Sequence, residues 1–264
     1  MKMKLVQLVS FLGCAAMLQS VTAAAEDYDA KFSLSAGVEL TSGTYGGDED
    51  IEDTYVPITA TADYGRLSFR LTIPYISVRA PEGTIFDPDG APLPGTGEMT
   101  TESGLGDIVG SATIYDVLYS DRLGLAMDLT GKIKFGTADV DKGLGTGESD
   151  LSVQADFYKF MDQFTLMSSV GYKFRGDPAD IDLDNVLMAS VGGTYKFTPD
   201  VNGGLFFDYR ESAISGNDSV QELTGFVSRR ITDDWRLQVY ALTGFSDSSP
   251  DWGVGIRMKR AMNR

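Results

Sequence analysis

The sequence lacks histidine entirely and has one cysteine among 264 residues. Without an imidazole, a protein has no general base that titrates near neutral pH, no Ser-His or Cys-His nucleophile pair and no histidine ligand for a transition metal. Most hydrolase and metalloenzyme classes are therefore excluded, and we expect no catalytic residues, no metal ion and no cofactor. Basic residues are also scarce, with 22 against 38 acidic residues and a net charge of -16. This balance argues against a nucleic-acid partner, because phosphate binding depends on clustered lysine and arginine.

Long apolar runs are absent after the first 25 residues, so no transmembrane helix is predicted. The N-terminal segment has two lysines, an apolar run over residues 5–18 and small residues at 21–25. This pattern predicts a signal peptide over residues 1–25 that is removed from the mature chain, residues 26–264. Lipidation of Cys14 is an alternative, but the apolar run continues beyond that residue. The mature chain then has no cysteine for disulfides or thiolate chemistry.

Apolar and polar residues alternate with period two along the rest of the chain. In residues 31–41 every even position is apolar and every odd position is polar or glycine. This period predicts β-strands with one apolar face. The predicted strands are 30–41, 55–64, 67–79, 106–116, 123–135, 150–160, 164–174, 185–197, 201–210, 220–231, 235–245 and 252–260. They predict an all-β fold, an antiparallel transmembrane β-barrel of about 12 strands with short periplasmic turns and long outer loops.

Alternation does not say which face points inward, so a soluble barrel or sandwich with an apolar core is the alternative. Twelve strands about 4.8 Å apart and tilted by about 40° close at a radius of about 12 Å. Small side chains cannot fill such an interior, which favours a polar, hydrated lumen and an apolar face on lipid. Aromatic residues near both strand ends suggest two interfacial girdles. They are Tyr64, Tyr119, Phe160, Phe164, Phe197 and Trp235 near the short turns, and Tyr55, Tyr75, Phe135, Phe174, Tyr209, Phe245 and Trp252 near the long loops.

The negative charge is concentrated in the predicted outer loops. These loops are 42–54, 80–105, 136–149, 175–184, 211–219 and 246–251, and together they contain 21 acidic residues. Clustered carboxylates can bind divalent cations such as Ca²⁺ and bridge to lipopolysaccharide. The acidic runs lack the ligand and glycine spacing of a calcium-binding loop, which favours a solvated, repulsive rim.

The predicted lumen carries charges of both signs. The candidate lumen-lining and solute-binding residues are Arg70, Asp128, Lys132, Lys134, Asp208, Arg210, Arg236, Tyr240 and Arg257. Such residues can line a water-filled pore, or they can pair across the lumen and hold it closed. Carboxylates alone can also catalyse reactions, but no pair of acidic residues here has a spacing that indicates such a site.

Three stretches resemble an outer-membrane family associated with the meta-cleavage pathway of phenol degradation. They are the SGLGD at 103–107, the GKIKFGTAD at 131–139 followed by LGTG at 144–147, and the SDSSPDWG at 246–253. The resemblance implies an outer-membrane barrel that admits small, often aromatic or hydrophobic, organic compounds. The chain departs from the family at Gly136, where proline is common. It also ends without the terminal aromatic residue that the outer-membrane assembly machinery usually recognises.

The first predicted strand begins about five residues after the signal peptide, which leaves no N-terminal segment to plug the barrel. Any gate is therefore predicted to come from a loop, and the best candidate is the loop at residues 80–105. The loop contains several prolines and glycines together with apolar Ile85, Phe86 and Leu93. Apolar side chains are not expected in a fully solvated loop, so one interpretation is that the loop folds into the pore. The other interpretation is a disordered outer loop.

The leading functional hypothesis is a passive channel for small organic solutes in the outer membrane of a Gram-negative bacterium. Its expected partners are membrane lipid, lipopolysaccharide, a small-molecule solute and the assembly machinery. The alternative is a structural or adhesive surface barrel with a plugged lumen. An outer-membrane hydrolase is least favoured, since the familiar barrel enzymes rely on histidine.

Overall fold

The computed structural model describes residues 30–86, 91–93, 95–178 and 181–262. The predicted signal peptide lies outside the described residues. Within them, no helix is long and apolar enough to cross a bilayer.

The described residues form thirteen strands. They are β1 (Lys31–Gly43), β2 (Ile51–Tyr64), β3 (Leu67–Pro81), β4 (Met99–Leu105), β5 (Ile108–Ser120), β6 (Leu125–Phe135), β7 (Asp150–Met161), β8 (Phe164–Phe174), β9 (Val186–Lys196), β10 (Val201–Arg210), β11 (Val220–Arg230), β12 (Trp235–Gly244) and β13 (Trp252–Ala261). β4 and β5 together make one barrel strand, because both pair with β3. β4 pairs with the outer half of β3, and β5 pairs with the other half. The register shifts by one residue between them, at Gly106 and Asp107, as in a β-bulge.

The sheet closes on itself. Each barrel strand pairs antiparallel with its neighbours in the chain, and β13 returns to pair with β1, with Arg257 opposite Gly37. Closure leaves a twelve-stranded barrel, which confirms the predicted fold class and strand count. A closed barrel has no unpaired edge and can therefore span a bilayer.

The exposure pattern shows which face of each strand points outward. On β6, Leu129 is 43% exposed on the outside, whereas its neighbour Asp128 is 1% exposed on the inside. Lys173 on β8 and Glu222 on β11 are likewise buried, at 1% and 3%. Large apolar side chains on the outside and charged ones inside are the arrangement expected of a barrel surrounded by lipid. The soluble alternative, with an apolar core, is wrong.

The strands extend further toward the outer side than the alternation predicts. β2 begins at Ile51 rather than at residue 55, so Ile51 and Asp53 lie inside the mouth instead of in the acidic rim. The Asp53 carboxylate accepts a hydrogen bond from Thr41 on β1, which explains how a charged residue is placed there. The predicted loop 80–105 is likewise shorter, because β3 runs to Pro81 and β4 starts at Met99. The connection between these two strands is therefore residues 82–98, of which 82–86, 91–93 and 95–98 are described.

Most of the predicted girdle aromatics lie outside, as Tyr64, Tyr119 and Trp252 do. Two do not. Tyr55 packs against an apolar cluster inside the mouth, and Phe160 packs against buried aromatics in the lumen. Residues two positions away from each of them on the same strand also point inward. The direction of these two side chains is therefore set by the alternation along the strand and not by their distance from the bilayer interface.

Candidate functional site

The nine candidate lumen residues all occupy inward-facing positions of the barrel. Asp128, Lys132 and Lys134 alternate along β6 and are buried. The other six are distributed around the wall. They are Arg70 on β3, Asp208 and Arg210 on β10, Arg236 and Tyr240 on β12, and Arg257 on β13, half-buried except for buried Tyr240.

A strip of aromatic rings follows the inner wall from β10 to β12. Phe206 and Phe226 lie stacked, with ring centroids 6.2 Å apart and planes 16° apart, and Phe226 pairs across the strands with Tyr240. The Tyr240 hydroxyl donates a 2.5 Å hydrogen bond to the Glu39 carboxylate on β1. Tyr158 and Met167 belong to the same buried cluster. The lumen therefore combines charged groups with a continuous aromatic surface.

Glycine makes room for these rings. Phe206, Phe226 and Tyr240 stand opposite Gly192, Gly204 and Gly255 on the neighbouring strands. A Cβ at any of these glycines would overlap the facing ring. Each ring can thus lie against the wall rather than across the pore. Sequence reasoning missed Phe206 and Phe226, although both occupy the inward parity of their strands.

Replacement of Gly255 by alanine is expected to push the Tyr240 ring toward the pore axis. The overpacking should lower the free energy of unfolding by about 1–3 kcal/mol and reduce single-channel conductance. Gly131→Ala is the matched control, because a Cβ at Gly131 meets nothing within 4 Å. Denaturant unfolding and planar-bilayer recordings of both variants measure the two effects. Equal stability and equal conductance of the Gly255→Ala and Gly131→Ala variants would contradict this account of the Tyr240 ring.

An apolar cluster occupies the outer mouth of the barrel. Its strand residues are Ile51 on β2 and Ile76, Val78 and Ala80 on β3, all pointing inward. Phe86 from residues 82–98 and Ala138 and Leu144 from the loop after β6 pack onto them. Tyr45, in the loop after β1, packs against the same cluster, and burial raises the pKa of its phenol. The loops thus fold onto the mouth and bury apolar surface there.

Backbone hydrogen bonds hold the predicted gating residues in place. Ile85 and Leu93 pair with each other through N–H···O contacts of 3.0 and 2.9 Å, and the Phe86 N–H donates to the Gly143 carbonyl at 2.7 Å. Gly143 has a φ of +66°, and a Cβ there would overlap the Thr84 carbonyl. This close approach requires glycine at position 143.

The same hairpin reaches across the mouth. Ile85, Ala91 and Leu93 line one small cavity together with Val186, Arg210 and Val220 at the outer ends of β9, β10 and β11. In barrel order β3 is third and β10 is ninth of twelve, so these strands stand on opposite walls. The described part of the hairpin therefore spans the entrance rather than standing clear of it.

Asp107, in the bulge between β4 and β5, anchors the neighbouring loop. Its carboxylate forms a 2.8 Å ion pair with Lys134, and both side chains are 3% exposed. It also accepts hydrogen bonds from the N–H groups of Thr137 and Ala138, at 2.9 and 2.8 Å. Asp150 completes the group, 3.5 Å from Lys134. Lys134 thus lies within an ion-pair network beneath the mouth.

The third family-like stretch fixes the last outer loop to β11. The Gln221 N–H donates to the Ser249 hydroxyl at 2.8 Å, and that hydroxyl donates back to the Gln221 carbonyl at 3.0 Å. A Cβ at Gly244 would overlap the Pro250 carbonyl, so the chain turns tightly at this point. The motifs noticed in the sequence are therefore places where outer loops attach to the barrel.

The acidic outer loops show no metal site in the described residues. No group of three or more His, Cys, Asp or Glu side chains there is arranged to hold an ion. The solvated rim that the sequence favours remains a prediction, with divalent-cation binding as its alternative.

A protein-family model matches most of the chain. The family described as "Putative MetA-pathway of phenol degradation" matches residues 19–259. No match was found among curated proteins.

Solved structures share the fold at low sequence identity. An outer membrane channel from Pseudomonas putida F1 has a TM-score of 0.70 and 13% identity, over 90% of this chain and 97% of that one. The KdgM porin has a TM-score of 0.56 and 8% identity, over 88% and 99%. The NanC porin has a TM-score of 0.55 and 8% identity, over 87% and 98%.

Proposed function

The chain belongs to the phenol-degradation MetA-pathway family, and from this membership and the geometry of its lumen we propose that it is a passive outer-membrane channel for small organic solutes. The observation that carries the proposal is the inner wall, where charged groups of both signs adjoin the aromatic strip Phe206, Phe226 and Tyr240. A solute with an aromatic or apolar body and a polar end finds contacts for both parts there. The structural likeness to channels and porins supports the fold on which this function depends.

The nine predicted lumen residues are proposed to line the path of the solute. Ile85, Phe86 and Leu93 are proposed to form its gate, because they lie across the entrance. Their backbone hydrogen bonds run between Ile85 and Leu93 and from Phe86 to loop residue Gly143, so none of these bonds joins them to a strand. Movement of one hairpin would then open the mouth without breaking the barrel. Membrane lipid surrounds the apolar exterior, and we propose lipopolysaccharide and the assembly machinery as further partners.

This function requires binding and passage of the solute but no bond making. We therefore propose no enzymatic activity.

Reconstitution tests the proposal. Purified protein in planar bilayers is expected to give discrete conductance steps in KCl, and liposomes containing it should swell in small polar solutes but not in a tetrasaccharide. Empty liposomes and heat-unfolded protein serve as controls. A folded protein with neither conductance nor swelling would contradict a channel.

The second candidate is a surface barrel with a plugged lumen. The apolar cluster at the mouth favours it, since Phe86 and Leu144 already pack inside the entrance. Folded protein without permeability, combined with a partner that binds the outer loops, would support this function.

A further inference from the structure

Two carboxylates face each other inside the lumen without a compensating cation. Asp128 on β6 and Asp156 on β7 are directly opposite in register and are 1% and 5% exposed. One oxygen of Asp128 accepts the Asp116 N–H at 2.8 Å, and one oxygen of Asp156 accepts the Gln154 amide at 2.7 Å. The second oxygen of each carboxylate has no hydrogen-bond partner among the described residues.

Four other acidic groups in the lumen differ in this respect. Asp107 and Asp150 contact Lys134. Asp208 and Glu222, a similar cross-strand pair, have Arg210 beside them on the same face of β10. Neither Asp128 nor Asp156 forms an ion pair within the described chain. The nearest inward lysine on β6 is Lys132, four residues from Asp128, or about 13 Å along a strand.

A buried polar group points into the same place. The Tyr158 hydroxyl lies beside the Asp128 carboxylate, is buried, and has no hydrogen-bond partner of normal geometry among the described residues. Two adjacent carboxylates buried without a counter-charge are strongly unfavourable unless a cation or a proton joins them. The unpartnered oxygens therefore mark a position where a positively charged donor would be stabilised.

The surroundings discriminate between kinds of cation. The Tyr158 ring stacks with Phe160 at 6.2 Å, and Ala126 and Met167 pack around it. Ca²⁺ takes six to eight oxygen ligands, more than the unpartnered oxygens of Asp128, Asp156 and Tyr158 supply. An ammonium group suits them better, since its three N–H donors match the free oxygens and aromatic faces attract organic cations.

We propose that Asp128, Asp156 and Tyr158 form a binding site for a small organic ammonium group, such as a protonated primary amine on an aromatic or alkyl body. The site would favour solutes that carry this group over neutral solutes of the same size. The inference rests on the proposed channel function, because the lumen is the route by which such a solute reaches the site.

Equilibrium binding to the purified full-length barrel tests this site independently of transport. Calorimetric titration compares benzylammonium with neutral benzyl alcohol, at constant ionic strength. Wild-type protein is expected to bind benzylammonium at least about tenfold more tightly, a difference of about 1.4 kcal/mol. The variant with Asp128→Asn and Asp156→Asn should lose that preference. Glu222→Gln, which also removes one buried lumen carboxylate, should stay within about twofold of wild type.

Asparagine has the shape of aspartate, and it removes the repulsion between the two carboxylates. The double variant should therefore fold, and heat-modifiable gel mobility verifies this. Equal affinity for the two probes would overturn the site, as would equal losses in the double variant and Glu222→Gln. Displacement of benzylammonium by Ca²⁺ at lower concentration would overturn the choice of ligand. Conductance without amine binding contradicts only this inference, whereas amine binding without conductance contradicts only the channel.

Discussion

Deletion of residues 84–95 is expected to raise the single-channel conductance at least about twofold while leaving the barrel folded. The deletion removes Phe86 from the mouth cluster and removes the Ile85–Leu93 pair that reaches the opposite wall. It leaves Glu82 and Glu98, whose backbones are joined by a 2.9 Å hydrogen bond. Gly83, Thr96 and Gly97 then connect them as a three-residue hairpin loop, a length that antiparallel strands accept. Planar-bilayer recordings give the result directly.

A graded variant separates the gate from the general effect of shortening a loop. Phe86→Ala should increase conductance less than the deletion, because the hairpin backbone still spans the mouth. Val140→Ala changes an exposed apolar residue in the neighbouring loop and should leave conductance as it is. If the deletion variant conducts as wild type does, residues 84–95 are no gate.

Asp107→Ala is expected to lower the free energy of unfolding by about 3–5 kcal/mol, the usual cost of breaking one partner of a buried ion pair. Lys134 would lose its 2.8 Å partner, and the N–H groups of Thr137 and Ala138 would lose their acceptor. The loop they begin should then detach, and trypsin should cleave it faster at Lys142, which lies exposed in that loop. Denaturant unfolding in lipid measures the first effect, and the cleavage rate at Lys142 measures the second.

An exposed ion pair supplies the control. Glu52 and Arg79 lie 3.5 Å apart, and each is about half exposed. Glu52→Ala should therefore change stability by less than about 1 kcal/mol. Asp107→Asn should fall between the two, since the amide oxygen still accepts from the backbone while the charge is lost. Similar losses for Asp107→Ala and Glu52→Ala would show that the bulge residue is no anchor.

Period-two alternation predicts the barrel because it reports which face each residue occupies, and that information is local. It fails where the contacts are distant in sequence. Ile76 and Val78 are apolar at inward positions because loops from elsewhere cover them, and no pattern within β3 reveals those loops. β4 is missed because the polar residues Thr101 and Ser103 interrupt its outward face. Asp107 is recognisable as part of a motif, but its role depends on Lys134, 27 residues further along the chain.

The mouth hairpin also constrains the order in which the molecule is built. Phe86 takes its backbone partner from Gly143, and the facing wall of the cavity comes from Arg210 and Val220, more than a hundred residues after the hairpin. Such contacts form only after the intervening chain has been brought back. During insertion the entrance must therefore remain incomplete until β11 has joined the sheet. The contacts that narrow the entrance are therefore among the later ones that the chain can complete.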